Sequence, residues 1–312
     1  MKREVGIWLC VLAAAVAVAT LVKAFAFTSC TIPFSGMENT LFRGDRVLVN
    51  KWAYGLRLPL AAWWGCRRLA QKPVSSGDIV VFNNPLPVRA DEAVDRRAVF
   101  IGRCVGLPGD TLMLTSRLEV TSQAVLSPDY KSLYAYPKEA EDTVLQALRR
   151  LAIEGNELIG FQEEQYVRSL SHYEVYLLRQ ELGASVPFTS LRVGGSEEVH
   201  PFVMPRRGES VRVYPWNVRL LCRAVGLHEG RRAEVRGDTL LVDGREVFSY
   251  RFSQDYYWMV SNDVANQHDS RRFGLVPASH LIGRAAFVWF SKDPEKGWLD
   301  GYRWHRFFQQ VK

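Results

Sequence analysis

The chain has 312 residues, of which 47% are hydrophobic, 23% charged and 12% aromatic. This composition excludes a disordered chain, a collagen-like chain and a small disulfide-rich protein, and the length allows one large domain or two modest ones. The net charge of +7 favours an anionic surface such as lipid, but it is too small to indicate a nucleic-acid partner. The five cysteines are odd in number and form no Cys-x-x-Cys pair and no zinc-type spacing, so neither a disulfide framework nor a structural metal is expected. No cofactor is expected either.

The first element in the chain is an apolar run near the N-terminus. A helix needs about 20 apolar residues to cross about 30 Å of hydrocarbon, and residues 5–27 reach that length if Lys23 extends its amine to the membrane surface. Lys2 and Arg3 precede the run, and the positive-inside rule places them in the cytoplasm. The sequence therefore predicts residues 1–4 as a cytoplasmic N-terminus and residues 5–27 as a single transmembrane anchor. The remaining chain would then be periplasmic, on a bacterial inner (cytoplasmic) membrane.

Two other interpretations of this run stay open. It can be read as a cleavable signal peptide, because residues 24–26 have a small-x-small pattern, or as a lipoprotein signal that ends before Cys30. Lys23 argues against both, because it stands between the apolar run and the cleavage region, where such signals are usually uncharged.

After the anchor the sequence is typical of short strands separated by turns. Residues 47–49, 78–82 and 285–290 are β-rich and have turn residues nearby. Residues 240–247 predict a hairpin closed by Asp243-Gly244. The expected fold class is mainly β.

The middle of the chain has a different pattern. Apolar residues at helical spacing predict a helix over residues 138–154, and residues 162–182 predict a second one with a weaker pattern. We therefore expect an α+β lobe, residues 116–203, inserted into a β domain formed by residues 28–115 and 204–312. The simplest interpretation of the lobe is a solvated accessory segment that carries no chemistry.

A short sequence similarity occurs within the chain. The pentapeptide Arg-Cys-Val-Gly-Leu at residues 103–107 returns as Arg-Ala-Val-Gly-Leu at residues 223–227, and Gly-Asp-Thr-Leu follows each copy. Five residues do not establish a repeat, but they suggest a place where the chain rejoins the sheet after the insertion.

Several blocks in fixed order resemble the bacterial signal peptidase I family. These blocks are Ile-Pro-Phe-Ser-Gly-Met at 32–37, Gly-Asp-Arg-Val at 44–47, Gly-Asp-Ile-Val at 77–80, Val-Gly-Leu-Pro-Gly-Asp at 105–110 and Asp-Ser-Arg-Arg-Phe-Gly at 269–274. The family consists of membrane-anchored Ser/Lys endopeptidases that remove signal peptides from exported proteins. The resemblance, which is greatest to the Bacteroidetes branch, implies a signal-peptidase-like antiparallel β-sheet domain behind one transmembrane helix.

The resemblance also implies where the catalytic groups should stand, and this chain lacks them. The family uses a serine nucleophile, a neutral lysine as base, a serine hydroxyl in the oxyanion hole and a second serine that orients the lysine. The corresponding residues here are Gly36 for the nucleophile, Gly102 for the base, Phe34 for the oxyanion hydroxyl and Gln267 for the partner of the lysine. The family's Gly-Asp-Asn-Arg segment is also changed, to Ser-Asn-Asp-Val at 261–264.

Two residues are candidates to rescue the reaction. Ser35 is adjacent to the nucleophile position, but in an extended segment its side chain would face away from the cleft. His268 adjoins the Asp-Ser-Arg triplet and is a possible base. The resemblance further implies that Asp269 and Arg271 brace the site by an ion pair.

The substrate-binding residues implied by the resemblance are present. They are Ile32, Pro33, Met37, Phe100 and Ile101, which would line shallow pockets beside an extended peptide. We therefore expect a non-catalytic homologue whose partners are signal peptides or preproteins together with membrane lipid. The alternatives are an active signal peptidase that uses Ser35 and a structural or scaffold membrane protein.

Overall fold

The N-terminal part of the chain forms one long helix followed by strands. A computed structural model describes residues 2–57, 68–89, 92–121, 129–191, 198–266 and 268–311. The elements of this first part are α1 (Lys2–Phe25), β1 (Phe27–Thr31), β2 (Asp45–Asn50), β3 (Leu56–Arg57), β4 (Arg68–Leu69), β5 (Ile79–Asn83), β6 (Val99–Gly106) and β7 (Thr111–Thr115). By length and hydropathy, no helix among the residues described here qualifies as a membrane span.

The middle of the chain forms a lobe with its own small sheet. Its elements are β8 (Lys131–Pro137), α2 (Glu141–Arg150), β9 (Leu158–Gln162), β10 (Gln165–Ser171), α3 (His172–Leu182), β11 (Thr189–Ser190) and β12 (Val199–Val203). The second predicted helix was wrong in its first ten residues, because residue 162 ends β9 and residues 165–171 form β10. Ser171 ends this strand and begins α3 by a capping box with Glu174, in which each side chain bonds to the other residue's backbone N–H.

The C-terminal part returns to the β domain. Its elements are β13 (Ser210–Arg212), α4 (Val218–His228), β14 (Ala233–Arg236), β15 (Thr239–Val242), β16 (Arg245–Val247), β17 (Ser249–Arg251), β18 (Tyr256–Val260), α5 (Ser270–Phe273), β19 (Val276–Pro277), β20 (Leu281–Ser291) and β21 (Gln309–Gln310). The predicted hairpin is confirmed, since Val242 pairs with Arg245 across the turn. Asp243 and Gly244 have positive φ angles of 51° and 79°, as a tight hairpin turn requires.

The main sheet joins strands from both ends of the chain. Its order is β1-β2-β20-β5-β6-β18-β19, with β21 beside β20, and its pairs are antiparallel. The mainly β prediction is therefore confirmed. In β6, Gly102 lies opposite Val80 of the neighbouring strand, so the position inferred for the base belongs to the centre of this sheet.

Separate hydrophobic cores support the β domain and the lobe. One cluster, which includes Ile32, Met37 and Leu41, lies beneath the loop that follows β1. A different cluster, which includes Tyr136, Leu148 and Leu178, fills the lobe between its sheet and its two helices. The lobe is bracketed by β7 and β12, which pair over residues Thr111–Thr115 and Val199–Val203.

Candidate functional site

The loop after β1 begins as extended chain and then turns. Ile32 continues the strand, because its N–H donates to the Asp45 carbonyl at 2.8 Å and its carbonyl accepts from Gly44 N–H at 2.9 Å. The chain then forms a single 3-10 turn over Ser35–Met37. Ile32 and Met37 are 2% and 1% exposed, so apolar packing fixes both ends of this loop.

A small apolar cleft lies between this loop and the start of β6. It has a volume of about 60 Å³ and is lined by Ile32, Pro33, Phe34, Gly36, Met37, Val99, Phe100, Ile101, Ser261, Asn266 and His268. The structure thus brings all five predicted substrate-binding residues to one place, together with three of the positions inferred for catalysis or rescue. Gln267 lies outside the described residues.

Three aromatic rings form one wall of the cleft. The His268 ring is parallel to Phe34, with centroids 5.5 Å apart and an interplanar angle of 2°. Its other contact is with Phe100, at 5.7 Å. His268 Nδ1 lies 2.7 Å from Asn266 Oδ1, which accepts a hydrogen bond from the tautomer that carries its proton on Nδ1.

At Gly36 the backbone is held firmly, but no attacking group is present. The Gly36 carbonyl accepts from Asn262 N–H at 2.8 Å and also from the Ser261 hydroxyl. A Cβ atom on residue 36 would lie 3.1 Å from Ser261 Oγ and 3.1 Å from Asn266 Nδ2, which is tighter than ordinary contact. The place of the serine side chain is thus partly filled by two neighbouring side chains.

The surroundings of Gly102 are apolar and less crowded. A Cβ atom there would lie 3.4 Å from Met259 Cβ, 3.5 Å from the Val260 carbonyl and 3.6 Å from the Phe82 ring. Phe82 and Met259 are both fully buried. Such an environment would lower the pKa of a lysine at this position, which is what a neutral base needs, but glycine provides no amine.

Ser35 lies outside the cleft, although not for the reason that the sequence suggested. The prediction assumed an extended strand, whereas Ser35 begins the 3-10 turn. Its hydroxyl donates to Asp263 Oδ2 at 3.5 Å, and the side chain lines a separate groove next to the cleft. The structure therefore does not bring Ser35 into the cleft with His268, although both residues line the neighbouring groove.

A buried ion pair fixes the segment that carries Ser261 and His268. Arg271 Nη2 lies 2.8 Å from Asp269 Oδ2, and the two side chains are 6% and 1% exposed. Asp269 also accepts from Ser261 N–H at 2.9 Å and caps α5. Arg271 donates to the carbonyls of Val264 and Asn266, at 3.1 Å and 3.2 Å. The Arg271 guanidinium thus connects Asp269 to the backbone of residues 264–266 and holds this loop in place.

Sequence reasoning missed a polar network beneath the cleft. Lys131 is fully buried, and its Nζ lies 3.0 Å from Glu38 Oε2. Burial raises the pKa of Glu38 to about 7, although Lys131 opposes this shift. Ser169 donates to Asp263 Oδ1 at 2.7 Å. Lys131 and Ser169 belong to the inserted lobe, so the lobe contacts the site directly. The one sequence feature that could have indicated this network is Lys131, which begins a strand whose other residues are uncharged.

Comparisons with known proteins agree with this architecture. A family model described as "Signal peptidase, peptidase S26" matches residues 5–179 and 249–290, which is more than half of the chain and reaches into the lobe. The chain is 23% identical to signal peptidase I of Haemophilus influenzae over 310 residues, which cover 95% of this chain and 73% of the relative.

Other relatives give the same result. Signal peptidase I of Helicobacter pylori is 21% identical over 94% of this chain and 88% of its own length. Signal peptidase I of Pseudomonas aeruginosa is 35% identical over 107 residues, which are 34% of each chain. This chain therefore belongs to the signal peptidase family, peptidase S26.

Proposed function

We propose that this chain is a non-catalytic member of its family that binds extended segments of signal peptides or exported proteins. The observation that carries the proposal is that Gly36 and Gly102 stand where the nucleophile and the base are expected, while all five residues implied to bind substrate line one apolar cleft. Loss of the nucleophile or the base of a serine hydrolase costs up to about 10⁶ in rate. Phe34 also has no hydroxyl for an oxyanion.

The backbone around the cleft supports binding of an extended chain. Val99–Ile101 pair with β5 on one side, whereas on the other side β18 pairs with β6 only from Arg103 onward within the described residues. The first half of β6 therefore has a free edge that faces the cleft. A bound peptide would add to this edge as a strand, and its small side chains would contact Ile32 and Ile101.

The alternative, an active peptidase that uses Ser35, has less support. A serine nucleophile needs a base within hydrogen-bond reach and an electrophile in the same cleft. The partner of Ser35 is the Asp263 carboxylate at 3.5 Å, and Asp263 is already engaged by Ser169. The scaffold alternative would place the function on the outer surface of the lobe.

Surface aromatics support the proposed location on the inner membrane. The indole of Trp52 donates to the carbonyl of Phe25, the last residue of α1, and 55% of Trp52 is exposed. Trp304 and Phe308 are 69% and 75% exposed. Amphipathic aromatics favour the membrane–water interface. We therefore propose one anchor within the predicted residues 5–27, ending with α1 at Phe25 because Phe27 already belongs to β1, with a cytoplasmic N-terminus and a periplasmic main domain. Alkaline carbonate extraction and protease protection of intact inner-membrane vesicles test this topology.

A binding assay and a cleavage assay together test the function. We expect a labelled signal peptide to bind the full chain in detergent with saturation, and Ile101→Asp to abolish binding because it places a charge in the cleft. Val88→Asp is the matched control, because Val88 is 84% exposed and outside the cleft. We expect no cleavage of a preprotein. Cleavage that is lost in Ser35→Ala would establish the alternative instead.

A further inference from the structure

A second groove opens directly beside the cleft and is not used by the proposed binding mode. Its volume is about 550 Å³, and it shares Asn266 and His268 with the cleft. Ser35 and Asp263 form one side, and Leu158 and Ile159, from the start of β9, form the other. The groove therefore connects the cleft to the inserted lobe.

The strand β9 has a free edge next to this groove. In the sheet order β11-β8-β10-β9 it is the last strand, and within the described residues it pairs only with β10. Phe161 is 75% exposed and Ile159 is 42% exposed. Ile159 lies at a bulge, because Gly160 pairs with Val167 and Leu158 pairs with Arg168, which leaves no β10 residue directly opposite Ile159. Free backbone groups beside exposed apolar side chains form a template for another strand.

We propose that the groove and β9 bind the continuation of the polypeptide that occupies the cleft. This inference rests on the proposed function. Residues before the cleavage position would lie along Ile32 and Ile101, and the chain would then pass Gly36 and Ser35 into the groove. The occupant is therefore the segment on the carboxyl side of that position. It pairs with β9 over about five residues, the length of the strand.

The chemistry of the surface points to an extended chain with apolar side chains where it passes β9 and polar groups along the rest of the groove, which Glu157, Asp263 and Arg272 also line. Backbone pairing with an edge strand requires free N–H and C=O groups at regular spacing, which a polypeptide has. Apolar side chains of the added strand would contact Ile159 and Phe161. The groove thus extends the binding surface from a few residues in the cleft to a longer segment of the exported protein.

Peptides of different length test the inference with the full chain in detergent. One peptide of about six residues fills the cleft alone, a second carries about five further residues at its carboxyl end, and a third carries the same residues at its amino end. We expect the second peptide to bind about tenfold tighter than the first, a difference of about 1.4 kcal/mol, and the third to gain nothing.

Variants in β9 test whether the gain in affinity of the second peptide comes from contacts with this strand. Phe161→Ala should remove most of the tenfold advantage and leave binding of the short peptide unchanged. Phe248→Ala is the matched control, because Phe248 is also 75% exposed and lies elsewhere. Ile159→Ala, which removes an apolar side chain that lines the groove, should act in the same way as Phe161→Ala. Equal affinity for the first two peptides, or an advantage that persists in both β9 variants, would refute the inference. Failure of all three peptides to bind would instead refute the proposed function.

Discussion

Introduction of the catalytic groups that the resemblance implies tests the proposal that this chain is non-catalytic. The resemblance implies serine at residue 36, which is glycine here, and glycine at residue 261, which is serine here, and the structure places these two residues in contact. Ser261 Oγ lies 3.1 Å from the position of a Cβ on residue 36. We therefore compare Gly36→Ser/Gly102→Lys with the same double variant that also carries Ser261→Gly.

The contact distances give the expected magnitudes. At residue 102 every contact of an added Cβ is 3.4 Å or longer, so the lysine begins without strain. At residue 36 two contacts of 3.1 Å require Ser261 and Asn266 to move, and overpacking of this kind costs about 1–3 kcal/mol. If that strain displaces the attacking hydroxyl, it lowers the rate roughly 5- to 150-fold. We expect weak cleavage by the double variant and at least about a tenfold gain from Ser261→Gly.

Cleavage of a preprotein in detergent micelles, followed by gel electrophoresis, measures this gain. The control is the double variant with Ser249→Gly, because Ser249 is exposed on β17. Addition of Phe34→Ser to the triple variant should raise the rate further, by about 10² to 10³, because it restores an oxyanion donor. Equal rates for the double and triple variants would refute the steric argument at residue 36. A folded triple variant that remains inactive would show that Phe34 and Gln267 determine the loss.

Two further predictions concern stability. Lys131→Met should destabilise the protein by about 3–5 kcal/mol in urea titrations at pH 8, because it leaves the buried Glu38 carboxylate unpaired, and Glu38→Leu in the same chain should recover most of the loss. The cost should be smaller at pH 5, because the pKa of Glu38, raised to about 7 by burial, lets it take up a proton. The second prediction concerns His280, which is 3% exposed and has Arg97 Nη1 3.1 Å from its Nε2. Burial lowers the pKa of the His280 imidazole from 6.5 to about 2. Below pH 6.5 the unfolded chain therefore binds a proton that the folded chain does not, and the free energy of unfolding decreases as the pH falls. The loss should be roughly 2 kcal/mol between pH 6.5 and pH 5, and His280→Gln should remove that part of the slope in thermal unfolding. An unchanged slope would contradict the assignment of a neutral buried imidazole.

The residues of the cleft were predictable because they are close in sequence to distinctive motifs. Ile32 and Met37 belong to one block, and Phe100 and Ile101 precede another. The prediction that the Ser35 side chain lies outside the cleft was right, but its reason was wrong. A 3-10 turn, rather than an extended strand, places this side chain in the neighbouring groove. Glycine and a small polar residue fit either conformation, so local sequence does not decide between them.

The repeated pentapeptide shows the limit of short patterns. Residues 103–106 form the second half of β6 in the main sheet, whereas residues 223–227 lie in α4. Val105 packs with Trp258 in the core, and Val225 packs in the same cluster from a helix. Val-Gly has no strong preference for either structure, and the tertiary environment selects the conformation. The similarity therefore does not mark an internal repeat.

The inserted lobe is part of the site, contrary to its simplest interpretation as an accessory segment. Its Lys131 and Ser169 contact Glu38 and Asp263, which are 93 and 94 residues away, and no local pattern predicts contacts at that separation. Deletion of the lobe would leave both carboxylates without these partners and would disturb the loop that carries Gly36. Such a deletion therefore cannot separate a scaffold function of the lobe from peptide binding in the cleft. Only substitutions on its outer surface, such as Tyr173→Ser on α3, where the side chain is 63% exposed, remove a scaffold contact and leave the cleft intact.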